Sequence, residues 1–193
     1  MTFSVPLLIG IFLLCCTGAA DRACSRAEVE SGPVAALCLA SLLLSGLQFQ
    51  PWRILSVYPA ALLPVLAAVI HVWRFSVSGL LVTLTAGALG WLLTALFPVF
   101  MEPSLFPAAS SALLATLFLK NKGERLLPVL LTPLVTGGLT ALSDWYLFDD
   151  GTLALGSSAQ LDAQACGILL LGLLLSVPAK KIKPHFVGFY LSL

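Results

Sequence analysis

The chain alternates long apolar runs with short polar segments, and this pattern predicts a bundle of membrane-spanning helices. The apolar runs cover residues 5–20, 33–49, 54–73, 77–97, 105–119, 126–148 and 161–178. A helix needs about 20 apolar residues to cross the hydrocarbon layer. The runs that begin at 54, 77 and 126 reach that length, whereas those at 5, 33 and 105 are short and can dip in without crossing. We therefore predict one all-α domain, residues 1–193, with six or seven transmembrane helices.

The first apolar run, residues 5–20, has two interpretations. The small residues before Asp21 suit the cleavage site of a signal peptide. However, no basic residue precedes the run, and Arg22 and Arg26 follow it. That order favours a retained helix whose N-terminus lies outside the cell.

The distribution of positive charge predicts the orientation of the whole bundle. Counted over seven helices, nine of the ten Lys and Arg residues fall on one side, and only Arg53 falls on the other. The acidic residues Asp149 and Asp150 lie on the side of Arg53. Because basic residues accumulate in cytoplasmic loops, we predict an N-out, C-in protein of a bacterial cytoplasmic (plasma) membrane.

The composition supports a membrane location and excludes several classes of protein. Hydrophobic residues make up 59% of the 193 and charged residues only 10%, whereas soluble domains carry about 25% charged residues. The net charge of +1 leaves no basic stripe for nucleic acid. The lipid bilayer is therefore the predicted partner. Whether the chain also forms a homo-oligomer or binds a second membrane protein is left open.

The sequence contains no motif for a metal or a cofactor. Its five cysteines form no CxxC pair and no cluster with histidine, so neither a disulfide framework nor a metal site is predicted. There is also no Walker loop, no HExxH motif and no dinucleotide-binding fingerprint. We therefore predict that the chain acts without a cofactor.

Two acidic residues, Asp144 and Asp162, interrupt the last two apolar runs. A short turn centred near Leu153 would bring both carboxylates to the same depth. Thr140 lies one turn before Asp144, which makes that helix face polar, and Gln164 follows Asp162. Two carboxylates in close contact do not both ionise easily and can share a proton. We therefore predict Asp144, Asp162, Thr140 and Gln164 as binding residues.

Each aspartate also has a simpler interpretation. Asp144 directly precedes Trp145 and Tyr146, and aromatic residues are enriched at the membrane–water interface. Asp144 would then be an interfacial residue wetted by the outer loop. Asp162 follows a Gly-Ser-Ser stretch, which is the place for an N-cap or first-turn acidic residue.

The predicted carboxylate pair would serve either of two functions. The first is a non-enzymatic protein that binds or moves a small solute, a proton or a cation. The second is a hydrolase within the membrane, with Asp144 and Asp162 as catalytic acid and base. Intramembrane aspartyl proteases carry GxGD at the second aspartate, whereas this chain reads AQLD, which favours the first function. A purely structural membrane subunit is the third alternative.

Four segments of the chain carry a resemblance to a protein family. They are SVYPAALLPVLAAVI (56–70), FPAASSALLATLF (106–118), TPLVTGGLTALSDWYLF (132–148) and GSSAQLDAQACGILL (156–170). They resemble an uncharacterised family of small multi-pass membrane proteins of bacteria and archaea, known only as a domain of unknown function. Asp144 matches an acidic residue that ends one family segment, and Asp162 matches an aspartate in another. The resemblance implies a membrane location and brings no known activity.

Overall fold

The computed structural model of the chain describes residues 4–26, 28–52, 55–71, 76–97, 104–148 and 153–176. Within these ranges the chain forms eight α-helices: α1 (Ser4–Cys16), α2 (Asp21–Arg26), α3 (Ser31–Leu44), α4 (Pro59–His71), α5 (Val77–Leu96), α6 (Leu105–Phe118), α7 (Leu126–Phe148) and α8 (Ser158–Ser176). Three short strands accompany them: β1 (Phe49–Trp52), β2 (Leu55–Val57) and β3 (Leu153–Leu155). The predicted helical class is confirmed, and the small sheet is an addition to it.

Three helical segments of the described residues are long and apolar enough to cross a membrane: Val77–Leu96, Lys122–Leu147 and Ser158–Leu175. The helices α1, α3, α4 and α6 have only 13 or 14 residues each. That corresponds to ~20 Å, against about 30 Å for the hydrocarbon core. The three runs predicted to be short are confirmed as short helices.

The apolar run 54–73 was expected to give a full-length helix, and that prediction is wrong. Its first described residues, Leu55–Val57, form β2, so α4 begins only at Pro59. Leu55–Val57 could have extended the helix, but they form a strand because they pair with β3.

Two side-chain contacts gather the basic loops at one end of the bundle. Arg26 donates a hydrogen bond to the carbonyl oxygen of Leu175, near the end of α8. Ser76, which caps the start of α5, donates to the carboxylate of Glu124 in the connection between α6 and α7. That connection, residues 120–125, and α2 together carry five basic residues. We call this the basic end.

The three-stranded sheet lies at the opposite end, which we call the sheet end. The strand order is β1-β2-β3, with β1 and β2 antiparallel and β2 and β3 parallel. Leu55 lies opposite Leu153, and the amide of Tyr58 donates to the carbonyl oxygen of Leu155 at 2.8 Å. The sheet therefore ties the connection between α3 and α4 to the connection between α7 and α8.

Small residues let the central helices approach closely. A methyl group on Gly90 of α5 would lie 2.9 Å from Cα of Pro107 in α6. Beside this contact, the hydroxyl of Ser110 donates to the carbonyl oxygen of Ala86 at 3.1 Å. Small residues and interhelical hydrogen bonds are the usual means by which helices associate in lipid, where the hydrophobic effect gives no drive between them.

We predict that Gly90→Ala destabilises the bundle by about 1–3 kcal/mol, because the added methyl group meets helix backbone rather than a movable side chain. Gly172→Ala is the matched control, since position 172 has no atom within 4 Å of an added methyl group. Thermal unfolding of the purified protein in detergent measures both changes. A Gly90→Ala variant that melts no lower than the control would contradict the packing of α5 on α6.

Candidate functional site

Asp144 lines a cavity at the sheet end, which we call the Asp144 cavity. Its volume is about 290 Å³, and its walls come from α5, α6, α7, β3 and α8. Asp144 itself is half-buried. The other polar side chains that line the cavity are those of Thr94, Ser104, Thr136, Thr140, Ser157 and Gln160. The remaining described lining is made of prolines, alanines and one glycine, so among the described residues one carboxylate faces a partly apolar wall.

Three threonines of this cavity donate their hydroxyl protons to helix carbonyls. Thr94 donates to Gly90 at 2.8 Å, Thr136 to Gly87 at 3.2 Å, and Thr140 to the carbonyl of Thr136 at 3.0 Å. A hydroxyl group has one proton and two lone pairs. These three side chains therefore offer the cavity hydrogen-bond acceptors rather than donors.

Gln160 organises the start of α8. Its Oε1 accepts hydrogen bonds from the backbone amides of Gly156 and Ser157, and the amide of Gln160 donates to Ser157 Oγ at 3.4 Å. This reciprocal pair is a capping box. The side-chain amide of Gln160 also donates to the carbonyl oxygen of Ala154 in β3 at 3.0 Å. One side chain thus joins the strand to the helix.

The interpretation of Asp162 as a helix cap is wrong. Asp162 is the fifth residue of α8, and the first turn of that helix contains no acidic residue. Ser157 and Gln160 cap the helix instead. Asp162 is buried, with 6% of its surface exposed, and its Oδ1 has no hydrogen-bond partner among the described residues.

The prediction that Asp144 and Asp162 lie at the same depth is also wrong. Gln160 packs directly against Gly137, because a methyl group at position 137 would overlap Gln160 Nε2. Gln160 and Gly137 therefore lie at the same height in the bundle. Asp162 lies two residues beyond Gln160, toward the basic end, and Asp144 lies seven residues beyond Gly137, toward the sheet end. The two aspartates are therefore separated by roughly nine residues of helical rise, or ~14 Å.

The path of the connection explains this separation. The prediction assumed a turn between two helices of matching length. In the structure α7 continues to Phe148, and β3 then pairs with β2 before α8 begins at Ser158. The start of α8 therefore lies beside the middle of α7 and not beside its end.

The four predicted binding residues fall into two pairs. Asp144 and Thr140 line the cavity, whereas Asp162 and Gln164 do not. Gln164 is 1% exposed, and its Nε2 donates to the carbonyl oxygens of Ala61 at 3.1 Å and Leu130 at 2.9 Å. Gln164 therefore ties α8 to α4 and α7 inside the bundle.

Five polar residues of the cavity wall were not among the predicted binding residues: Thr94, Ser104, Thr136, Ser157 and Gln160. Thr136 lies one turn before Thr140 on the same helix face, so the helical spacing itself was a usable signal. Thr94 lies near the end of α5, and Ser104 directly precedes α6. Only the packing of α5 and α6 against α7 brings these two residues to the cavity.

A second cavity, of about 270 Å³, lies among α1, α2, α3 and α8. Its lining is almost wholly apolar and includes the thiols of Cys15, Cys24 and Cys38. Burial raises the pKa of the Cys24 thiol, which keeps this group neutral. None of the described residues that line this cavity carries a formal charge, so it offers no counterion for an ionic solute.

The chain matches no protein-family model, no curated protein and no solved structure. The resemblance to a family of unknown function therefore stays a prediction. The function has to be inferred from the Asp144 cavity itself.

We predict that Gly137→Ala lowers the stability by about 1–2 kcal/mol. The added methyl group would displace Gln160, and loss of a helix cap costs about 0.5–2 kcal/mol. Gly138→Ala is the matched control, because an added methyl group there has no atom within 4 Å, and Ala favours the helix by up to about 1 kcal/mol. Equal melting temperatures for the two variants would show that Gln160 does not pack against α7.

Proposed function

We propose that this chain is a multi-pass protein of the plasma membrane that binds or moves a small polar or cationic solute in the Asp144 cavity. The observation that carries the proposal is the composition of the cavity wall. It contains one carboxylate and several hydroxyl oxygens, and the described residues that line it include no Lys or Arg. Such a wall favours a solute that carries positive charge or hydrogen-bond donors.

The membrane arrangement that we propose has seven spans, formed by α1 and α3 to α8. Support comes from the two ends of the bundle. The contacts of Arg26 with Leu175 and of Ser76 with Glu124 join segments that the sequence assigns to the cytoplasmic side. If the basic end faces the cytoplasm, the N-terminus and the Asp144 cavity face the outside. The short helices then require a locally thinned bilayer.

A carboxylate at this place is suited to hold a cation. Asp144 lies near the sheet end of a long apolar helix, where its surroundings have a lower effective dielectric constant than water. Attraction between opposite charges is stronger in such surroundings, and ionisable residues within membrane helices usually mark binding sites or pathways. A solute that enters from the outside would meet Asp144 and Thr140 on one face of α7.

The separation of the aspartates favours binding over hydrolysis. An aspartyl hydrolase needs two carboxylates close enough to act on the same water molecule. Asp162 lies ~14 Å from Asp144 along the helix axis and is outside the cavity wall. We therefore propose a single-carboxylate binding site rather than the predicted pair.

The orientation predicts which loops an impermeant reagent can reach. In a variant without the five native cysteines, Gln50→Cys should react with an impermeant maleimide on intact cells, because Gln50 is exposed at the sheet end. Asn121→Cys, exposed near the basic end, should react only after the membrane is permeabilised. Labelling of Asn121→Cys on intact cells would reverse the proposed orientation.

The binding function predicts that closing the Asp144 cavity abolishes ligand stabilisation. Purified protein in lipid nanodiscs is heated with small cations, neutral polyols and carboxylate anions, and the melting temperature is compared with that in buffer alone. We expect stabilisation by at least one cation in the wild type. Asp144→Asn and Ala141→Trp should lose it, since these residues line the cavity.

The neighbouring variant Leu142→Trp is the matched control, because Leu142 is exposed and does not line the cavity. It should keep the stabilisation seen in the wild type. Stabilisation that survives Ala141→Trp would place the binding elsewhere in the protein.

A further inference from the structure

We infer that the ligand of the Asp144 cavity is a small primary ammonium compound, that is, a short carbon skeleton with a protonated amino group. This inference rests on the proposed function and adds the chemical class of the solute. It follows from what the cavity wall accepts, from what it lacks and from its volume.

The wall presents acceptors that match the three N–H groups of an ammonium. Asp144 supplies a carboxylate, and Thr140 lies one turn away on the same face of α7, where side chains are neighbours. Thr136 lies one turn beyond Thr140 on the same face, away from Asp144. Since Thr140 and Thr136 donate their hydroxyl protons to helix carbonyls, their lone pairs are available. An ammonium has three donors and no acceptor, so its hydrogen-bonding needs are complementary to this wall.

The described wall lacks the cluster of acidic side chains with which proteins usually bind a divalent metal ion. Calcium takes 6–8 oxygen ligands, and magnesium, which one or two carboxylates hold, takes its further ligands from substrate phosphates and water rather than from the protein alone. The described residues that line the Asp144 cavity include one carboxylate, and the described part of the chain contains no group of three or more His, Cys, Asp or Glu residues that could hold a metal ion. An organic cation, which needs a single counterion, fits this wall better.

The apolar part of the wall suits a short carbon skeleton. It includes Pro107, Pro133, Ala141 and Ala163, which offer van der Waals contact and no hydrogen-bond donor side chain. The volume of about 290 Å³ is at the low end for ligand pockets, which span about 300–1,000 Å³. The described lining contains no aromatic side chain, whereas quaternary ammonium groups are typically recognised by aromatic cages. A primary amine is therefore favoured over a quaternary one.

The test is calorimetric titration of the full chain in nanodiscs with propylammonium, tetramethylammonium, 1-propanol and potassium. We expect propylammonium to bind about tenfold or more tightly than the other three, because only propylammonium carries both a charge and N–H donors. Asp144→Asn should weaken propylammonium binding at least about tenfold, as loss of a charge-assisted hydrogen bond does.

Thr140→Val tests the hydroxyl acceptor without changing the shape of the side chain. It should weaken propylammonium binding several-fold. Thr116→Val is the control, because the Thr116 hydroxyl also donates to its own helix but the residue is half-buried and outside the cavity. Equal affinities in the two variants would overturn the role of Thr140 and with it the assignment of a primary ammonium.

The outcomes separate this inference from the proposed function. Suppose that tetramethylammonium or potassium binds as tightly as propylammonium and that this binding is lost in Ala141→Trp. The ammonium assignment is then wrong, while the cavity remains a cation site. If no cation or neutral solute gives binding that Ala141→Trp removes, the proposed function fails together with the inference.

Discussion

The geometry of the sheet end depends on the contacts of one side chain, that of Gln160. It caps α8, accepts from the amides of Gly156 and Ser157, and donates to Ala154 of β3. On its other side it packs against Gly137 of α7. A helix, a strand and a second helix are thus held by one amide group. This contact helps to fix the spacing of α7 and α8 at the sheet end, where both helices line the Asp144 cavity.

The helices that hydropathy could predict are those in which the whole segment is apolar. The runs 77–97, 126–148 and 161–178 became α5, α7 and α8 with small changes at their ends. The sheet was missed because its strands have only three or four residues. Leu55–Val57 lies inside an apolar run, and a short apolar segment can belong to a strand or a helix. Its pairing with β3, about 100 residues later in the chain, decides between them.

The same long-range pairing limits what could be predicted of the site. Asp144 and Thr140 were identified because they lie one turn apart on one helix, a relation that the sequence contains directly. The position of Asp162 depended on the path of the connection between α7 and α8. Part of that path is set by β2, because Leu153–Leu155 pair with it as a strand, whereas the local sequence suggested a simple turn centred near Leu153. Thr94 and Ser104 reach the cavity only through the packing of three helices, for which one sequence carries no signal.

The short helices have a consequence for the lipid around the protein. The helices α1, α3 and α4 contact one another in sequence, so three of the four ~20 Å helices lie together on one side of the bundle. The fourth short helix, α6, packs among the long helices α5, α7 and α8. A bilayer that surrounds such a protein would be compressed most continuously along the flank formed by α1, α3 and α4. Compression of lipid has a free-energy cost that grows with each ångström of mismatch, and the cost falls when two compressed flanks meet. If the short helices span the membrane as proposed, the shape of the bundle would favour thin regions of membrane and lateral association through the flank formed by α1, α3 and α4.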